Sequence, residues 1–432
     1  MRVLMFGWEF PPHIAGGLGT ACYGLTKGLA KNNVEVLFVM PSAYGDEDQS
    51  SVNIINASDV EVYDICKNVD EFLNKVDFLR VGSNLMPYID PVSFSELVSK
   101  EQSLQSEEFK LHFQQKYKFS GKYGTNLMEE VARYAMVAGA IALENKFDVI
   151  HAHDWLTYLA GIAAKRITGK PLIIHVHATE FDRSGDNINT EVFNLEQMGM
   201  QEADKIITVS QLTRNIVINK YGIDPNKVVT VHNAVDFDGR SEITIRRGVK
   251  EKVVTFLGRV TFQKGPEYFI EAANKVLKMY PNVRFVMAGS GDLLNRSIRR
   301  VAKLGISNKF HFTGFLKGMD VQKMFANSDV YVMPSVSEPF GISPLEAMKS
   351  NVPTIISKQS GVAEVLDYAI KVDFWDIDAM ADAIYGLLAY PALSDMAVKS
   401  GLDEVNALKW DMAAAKVKDI YEEVINGSEN KI

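Results

Sequence analysis

Cysteine is nearly absent: Cys22 and Cys66 are the only two in 432 residues. Neither stands in a short-spaced pair, which excludes a disulfide framework and a thiolate metal site and suits a reducing compartment. No stretch approaches the ~18 consecutive apolar residues of a membrane span, so none is expected. The opening run from Met1 to Phe6 turns polar at Glu9. It is too short for the apolar core of a signal peptide, and it reads as a buried first strand of a cytoplasmic protein. Positive charge is not in excess either. The net charge is −8, whereas a general nucleic-acid surface needs a basic patch, so no nucleic-acid partner is expected. No short-period repeat is present.

What is present is a globular composition, 47% hydrophobic and 23% charged. The length suits two α/β domains of about 200 residues each rather than one core. Strand patterns occur at Val3–Phe6, Glu35–Met40, Val149–His151, Leu172–Val176, Lys205–Val209 and Val228–Val231. Helical patterns lie between them, at Leu18–Lys31, Leu127–Glu144, Leu156–Arg166 and Thr213–Tyr221. This βαβ rhythm predicts a parallel sheet covered on both faces. It restarts after residue 250 with strands at Lys252–Leu257, Arg284–Ala288, Phe310–Phe312, Val330–Met333, Thr354–Ser357 and Ala369–Val372. The polar stretch Asp236–Lys250 is the expected linker. Residues 42–124, rich in charge, Ser and Gln, are too long for an ordinary connection and predict a partly helical insertion on a cleft rim. Trp410–Ile425 reads as one helix that could pack on either domain.

Four motifs carry chemistry. Gly16, Gly17 and Gly19 lie between the first strand and first helix. Backbone N–H groups there can approach a phosphate or sugar oxygen at the electropositive helix start. The loop is not the dinucleotide fingerprint, and a plain tight turn explains it equally well. His151-Ala152-His153-Asp154-Trp155 ends a strand, where ligands of open α/β sheets bind. Alternate residues share a face, so the two histidines could point together, and Asp154 could cap the next helix. His175-Val176-His177 repeats the pattern; a hydrogen-bonded core role competes, above all for His151 and His175. Gly258-Arg259 and Lys264-Gly265 flank a turn that opens a helix, with a planar fork and a point charge suited to phosphate. In Glu338-Pro339-Phe340-Gly341-Ile342-Ser343-Pro344-Leu345-Glu346, two carboxylates that can accept hydrogen bonds from vicinal hydroxyls bracket a helix start.

Glu338 through Glu346 resembles the E-x7-E motif of retaining glycosyltransferases of the GT-B fold, and Gly258-Arg259 with Lys264-Gly265 resembles their diphosphate motif. Gly289-Ser290-Gly291-Asp292 and Gly361-Val362-Ala363-Glu364 are similar to the Gly-x-Gly and Gly-x-x-Glu of that group. His151–Trp155 and the long insertion are similar to glycogen and starch synthases. The resemblance implies two Rossmann-like domains facing each other across a cleft. The first spans 1–240, with an insertion at about 42–124 and a returning C-terminal helix at 410–432; the second, at 250–409, binds the donor. It implies that Arg259 and Lys264 hold the diphosphate, Glu338 the donor sugar and Glu346 the ribose. His177 would lie near the reacting carbon. Gly16, Gly17, His153, Asp154, Gly289, Gly291, Gly341 and Ile342 would contribute to donor binding. The implied reaction moves glucose from a nucleotide-sugar such as ADP-glucose or UDP-glucose to a carbohydrate acceptor, an α-1,4-glucan first, with retention. Neither cofactor nor metal is expected.

One position departs from the pattern. Bacterial glycogen synthases resemble Lys-x-Gly-Gly at the first loop, and the lysine position here is Ile14. That points also to a broader family-four transferase with another glycan or a lipid-linked acceptor. A zinc hydrolase built on the His-x-His pairs, with Asp154 or Asp182 as a further ligand, would leave Arg259, Lys264 and the Glu338–Glu346 frame unexplained. A catalytically dead sugar-binding scaffold would not need them all. Asp-x-Asp triplets at 46–48, 236–238 and 376–378 fall in polar loops.

Overall fold

The computed structural model describes residues 1–13, 16–60, 117, 119–121, 127–235 and 250–429. Ile14, Cys66, the 236–249 linker and most of the 42–124 segment lie outside them.

Short apolar runs with buried residues build the first sheet. Its strands are β1 (Arg2–Phe6), β2 (Glu35–Met40), β3 (Asn53–Asn56), β4 (Val149–His153), β5 (Leu172–Val176), β6 (Lys205–Thr208) and β7 (Val228–Thr230). They pair in parallel in the order β3-β2-β1-β4-β5-β6-β7. Strand alternation divides each run between two cores: Leu4 and Phe6 enter one, Val3 and Met5 the other. The second sheet holds β8 (Lys252–Leu257), β9 (Val283–Ala288), β10 (Phe310–Gly314), β11 (Val330–Met333), β12 (Thr354–Ser357) and β13 (Ile370–Val372). Its order is β10-β9-β8-β11-β12-β13, again parallel. In both sheets the order reverses beside the first strand, between β1 and β4 and between β8 and β11. Ligands of such sheets bind beyond the carboxyl ends at that switch point. The fold is GT-B.

One strand lies where the sequence suggested only an insertion. β3 falls within residues 42–124, at the sheet edge, and its four-residue run Asn-Ile-Ile-Asn is too short and too polar at its ends to stand out.

The helix Trp410–Glu429 follows the second sheet in sequence but packs on the first. Ala413, Ala414, Val417, Ile420, Tyr421 and Val424 share a core with Leu25 and Leu29 of the helix Gly17–Lys31. Gly24 makes room for the Trp410 indole: a Cβ there would stand 2.2 Å from the ring. Tyr421 reaches the first sheet, its hydroxyl 2.5 Å from His151 Nδ1. Among the described residues no helix is long and apolar enough to cross a membrane.

Candidate active site

Loops that follow β1, β4, β5, β8, β9, β10 and β11 line one cleft of about 1930 Å³ between the halves. The first half contributes Gly16, Gly17, Asp154 and His177. The second contributes Arg259 and Lys264 after β8, and Gly289 after β9. Glu338, Gly341, Ile342 and Glu346 follow β11. Two residues expected at the donor site are not on the cleft. His153 is fully buried behind His177, and Gly291 sits against the Val260 backbone.

In the second half, Lys264 Nζ lies 2.5 Å from Glu338 Oε2. Ser335 Oγ donates to the same oxygen at 3.1 Å. Glu338 Oε1 therefore has no hydrogen bond among the described residues and can accept one from a sugar hydroxyl. Arg259 is exposed and has no ion pair among the described residues. Glu346 stands in the first turn of the helix Ser343–Lys349, and burial pushes its carboxyl above the ordinary range.

The Gly289–Gly291 turn fixes the arginine loop by backbone packing. Gly258 N–H donates to Ala288 O at 3.0 Å, and Val260 N–H to Ser290 O at 2.9 Å. A Cβ on Gly289, at φ +144, would stand 1.8 Å from the Gly258 carbonyl oxygen. Relieving that overlap moves the Arg259 loop by more than ~1 Å, a displacement that can cost about 10²-fold in rate. Gly289→Ala is therefore expected to lower turnover about that much while circular dichroism stays unchanged. Steady-state rates near wild type would contradict it.

In the first half, Asp154 does not cap the helix Trp155–Thr168, which has no side-chain cap. Its Oδ1 instead accepts from the N–H groups of His177 and Ala178, at 2.7 and 3.3 Å. The turn that aims it there has φ 57 and ψ 168, a region sparsely used outside glycine that costs about 1–3 kcal/mol. Burial pushes the Asp154 carboxyl up to about 7, against the opposing pull of Arg183 and of the two backbone hydrogen bonds. Asp154 thus serves as a strut that holds the His177 loop.

Beneath His177 lies a packed array of imidazoles. His153 Nδ1 is 2.9 Å from His177 Nε2, and ring centroids of His151, His153, His175 and His177 are 4.3–5.3 Å apart between neighbours. Burial lowers all four, His177 to about 3, so each ring is neutral at pH 7. Nitrogens of His151, His153 and His175 come within 4.8 Å of one another. These three rings are closed off from solvent. A catalytic zinc keeps an open coordination position for water, and this buried trio offers none toward the cleft.

Arg183 also lines the cleft. It is bound by Glu180, at 3.1 Å, and by Glu196, which Tyr221 also contacts. Arg183 follows the His175-Val176-His177 strand end by six residues, so it is near the site in sequence as well as in space. Glu196, on the helix Thr190–Glu202, has no local signal, because only the folded packing brings it there. The loop Phe315–Gly318 on the cleft was likewise missed, although Gly314 and Gly318, both at positive φ, mark it as turn-rich.

Comparison with known proteins agrees with this architecture. Residues 2–230 match the starch synthase catalytic domain, and residues 242–402 match the glycosyl transferases group 1. An uncharacterized glycosyltransferase of Methanocaldococcus jannaschii is 28% identical over 98% of both chains. A glycogen synthase of Mycobacterium tuberculosis is 22% identical over 98% of this chain and 94% of its own. Among solved structures, sucrose-phosphate synthase from Thermosynechococcus elongatus superposes with a TM-score of 0.71 at 17% identity, covering 99% of each chain. With the starch synthase catalytic-domain family spanning more than half of its length and the group 1 transferases much of the remainder, the chain belongs to the family-four glycosyltransferases of the GT-B fold.

Proposed function

We propose that the protein transfers glucose from a nucleotide-diphosphate sugar to the growing end of an α-1,4-glucan, with retention at the anomeric carbon. The observation that carries this reading is the convergence of Arg259, Lys264 and Glu338 from one half with His177 from the other on a single cleft. The likeness of residues 2–230 to starch synthases supports the glucan acceptor.

In this reading the donor diphosphate lies between Arg259, Lys264 and the helix start at Gly16 and Gly17. Negative charge builds on the leaving phosphate oxygen as the glycosidic bond breaks. The two cations and helix-end N–H groups stabilise that charge before it forms, which is where electrostatic preorganisation acts. Lys264 changes partners, from Glu338 alone to Glu338 and phosphate. Glu338 Oε1 holds a sugar hydroxyl, and Glu346 the ribose. His177, neutral and held by His153 and Asp154, offers a hydrogen bond to the sugar without adding charge beside the developing positive anomeric carbon. The departing phosphate accepts the acceptor's proton on the same face, so no further base is required. Apposition of the two halves excludes water and limits hydrolysis.

The test is a donor screen with a malto-oligosaccharide primer, following nucleoside diphosphate release and product length. ADP-glucose or UDP-glucose is expected to extend the primer. Release with a different acceptor, and no glucan extension with any donor, would reject the glucan assignment in favour of another family-four reaction, the branch to which Ile14 points.

A further inference from the structure

Gly361-Val362-Ala363-Glu364 contributes nothing to the cleft lining, yet it joins the two halves. The helix Gln211–Tyr221 of the first half begins with an incomplete cap. Ser210 Oγ accepts the Thr213 N–H at 3.0 Å, while the N–H groups of Gln211 and Leu212 belong to the donors that a helix start leaves over. Glu364 accepts both from across the domain boundary. Its two carboxylate oxygens lie 2.8 Å from Gln211 N and 2.8 Å from Leu212 N. His232 Nε2, also of the first half, is 2.8 Å from the same carboxylate. A carboxylate at a helix start gains from the partial positive charge there as well.

The junction is close as well as polar. A Cβ on Gly361 would stand 2.1 Å from the Pro339 carbonyl oxygen and 2.4 Å from Ser210 Cβ. Only a residue without a side chain lets these three backbone segments meet. The same turn holds the catalytic loop. Glu338 N–H donates to Gln359 O at 3.0 Å, Gly361 N–H to Glu338 O at 2.8 Å, and Val362 N–H to Phe340 O at 2.7 Å. A continuous hydrogen-bonded path therefore runs from the helix Gln211–Tyr221 through Glu364 and the 359–362 turn to Glu338. From there it reaches Lys264.

We infer that Glu364 is a positioning residue for the transfer reaction. By capping a helix of the other half, it sets Glu338 and Lys264 at their working distance from His177. The inference rests on the transferase reading above. It concerns a residue outside the cleft. Most of the groups read as holding the nucleotide (Arg259, Lys264 and Glu346) belong to the second half, with the Gly16–Gly17 backbone the lesser contribution, so nucleotide affinity depends on it far less than turnover does.

The test compares wild type with Glu364→Ala and Glu364→Gln. It measures kcat, the donor KM, affinity for the product nucleoside diphosphate, and the nucleotide-bound radius of gyration by small-angle scattering. For Glu364→Ala, kcat is expected to fall about 10- to 100-fold. Nucleotide affinity stays within about threefold, and the nucleotide-bound particle expands. Glu364→Gln keeps one acceptor and loses the charge, so it falls between. Wild-type kcat with an unchanged radius in both variants overturns the inference. So does a loss of nucleotide affinity in parallel with kcat, because that marks collapse of the second half rather than misalignment. Should the wild type turn over no sugar donor, the transferase reading falls. The radius then decides the clamp alone: expansion of Glu364→Ala supports it, and none overturns it.

Discussion

Replacing Arg259 or Lys264 with alanine is expected to lower kcat about 10²- to 10³-fold, the loss seen when one preorganised partner of a developing negative charge is removed. The donor KM should rise far less, because both cations interact more strongly with the leaving diphosphate than with the ground-state donor. The two variants should differ in a way that follows from their surroundings. Arg259 is exposed and has no ion pair among the described residues, so its removal leaves little else to rearrange. Lys264 is only 21% exposed in its side chain, against 8% for Glu338. Removing it leaves a buried carboxylate with Ser335 alone, which costs stability as well as rate. A Lys264→Ala protein should therefore melt several degrees lower, while Arg259→Ala should not. Saturating-donor rates within a few-fold of wild type for both variants would remove the leaving-group role from this pair.

Lowering the pH from 7.5 to 5.5 is expected to reduce the melting temperature of the first half by about 10 °C. The sign follows from the four imidazoles beneath the cleft. Burial lowers His151, His153, His175 and His177 below the ordinary value, so they stay neutral when folded, while the unfolded chain takes up protons near pH 6.5. Their contribution is complete above about pH 6.5 and is lost as the pH falls toward the folded values. Each group changes stability by about 1.4 kcal/mol per pH unit in that window. Asp154 opposes them: its folded carboxyl titrates near 7, so the native state gains a proton there that the unfolded chain does not hold. Asp182 and Glu196, also of the first half and raised by burial, act in the same direction as Asp154 toward more acid pH. Four histidine protons less the one on Asp154 leave a difference that approaches three only toward the acid end of the window, where it is worth about 4 kcal/mol per pH unit. For a domain of this size that is a large fraction of total stability. A melting temperature flat from pH 7.5 to 5.5 would mean that the histidines are hydrated or already charged in the folded protein.

Much of this architecture was legible in the chain because it is local. Runs such as Val-Leu-Met-Phe at β1 and Val-Tyr-Val-Met at β11 are buried strands by composition, and the proline at the start of Pro266–Met279 marks a first turn. The Glu338–Glu346 frame was legible because one loop and one helix start hold both carboxylates. The opaque parts are relations between distant residues. Asn53–Asn56 becomes a strand only because β2 offers its edge. The helix Pro391–Ala407 carries a weak apolar pattern and is held by neighbours that pattern analysis does not see. Asp154 has the residue type of a helix cap, but tertiary packing turns it toward His177. Glu196 and Glu364 act on partners 13 and about 150 residues away, a separation at which no spacing rule applies.

The central claim is that one cleft gathers the diphosphate of a sugar nucleotide between the two halves. A crystal structure of the protein with a bound nucleoside diphosphate tests it most directly. The account predicts phosphate oxygens within hydrogen-bond distance of Arg259, Lys264 and the Gly16–Gly17 backbone, with the ribose hydroxyls on Glu346. A nucleotide bound elsewhere, or one in this cleft with its phosphates turned away from Arg259 and Lys264, would contradict it.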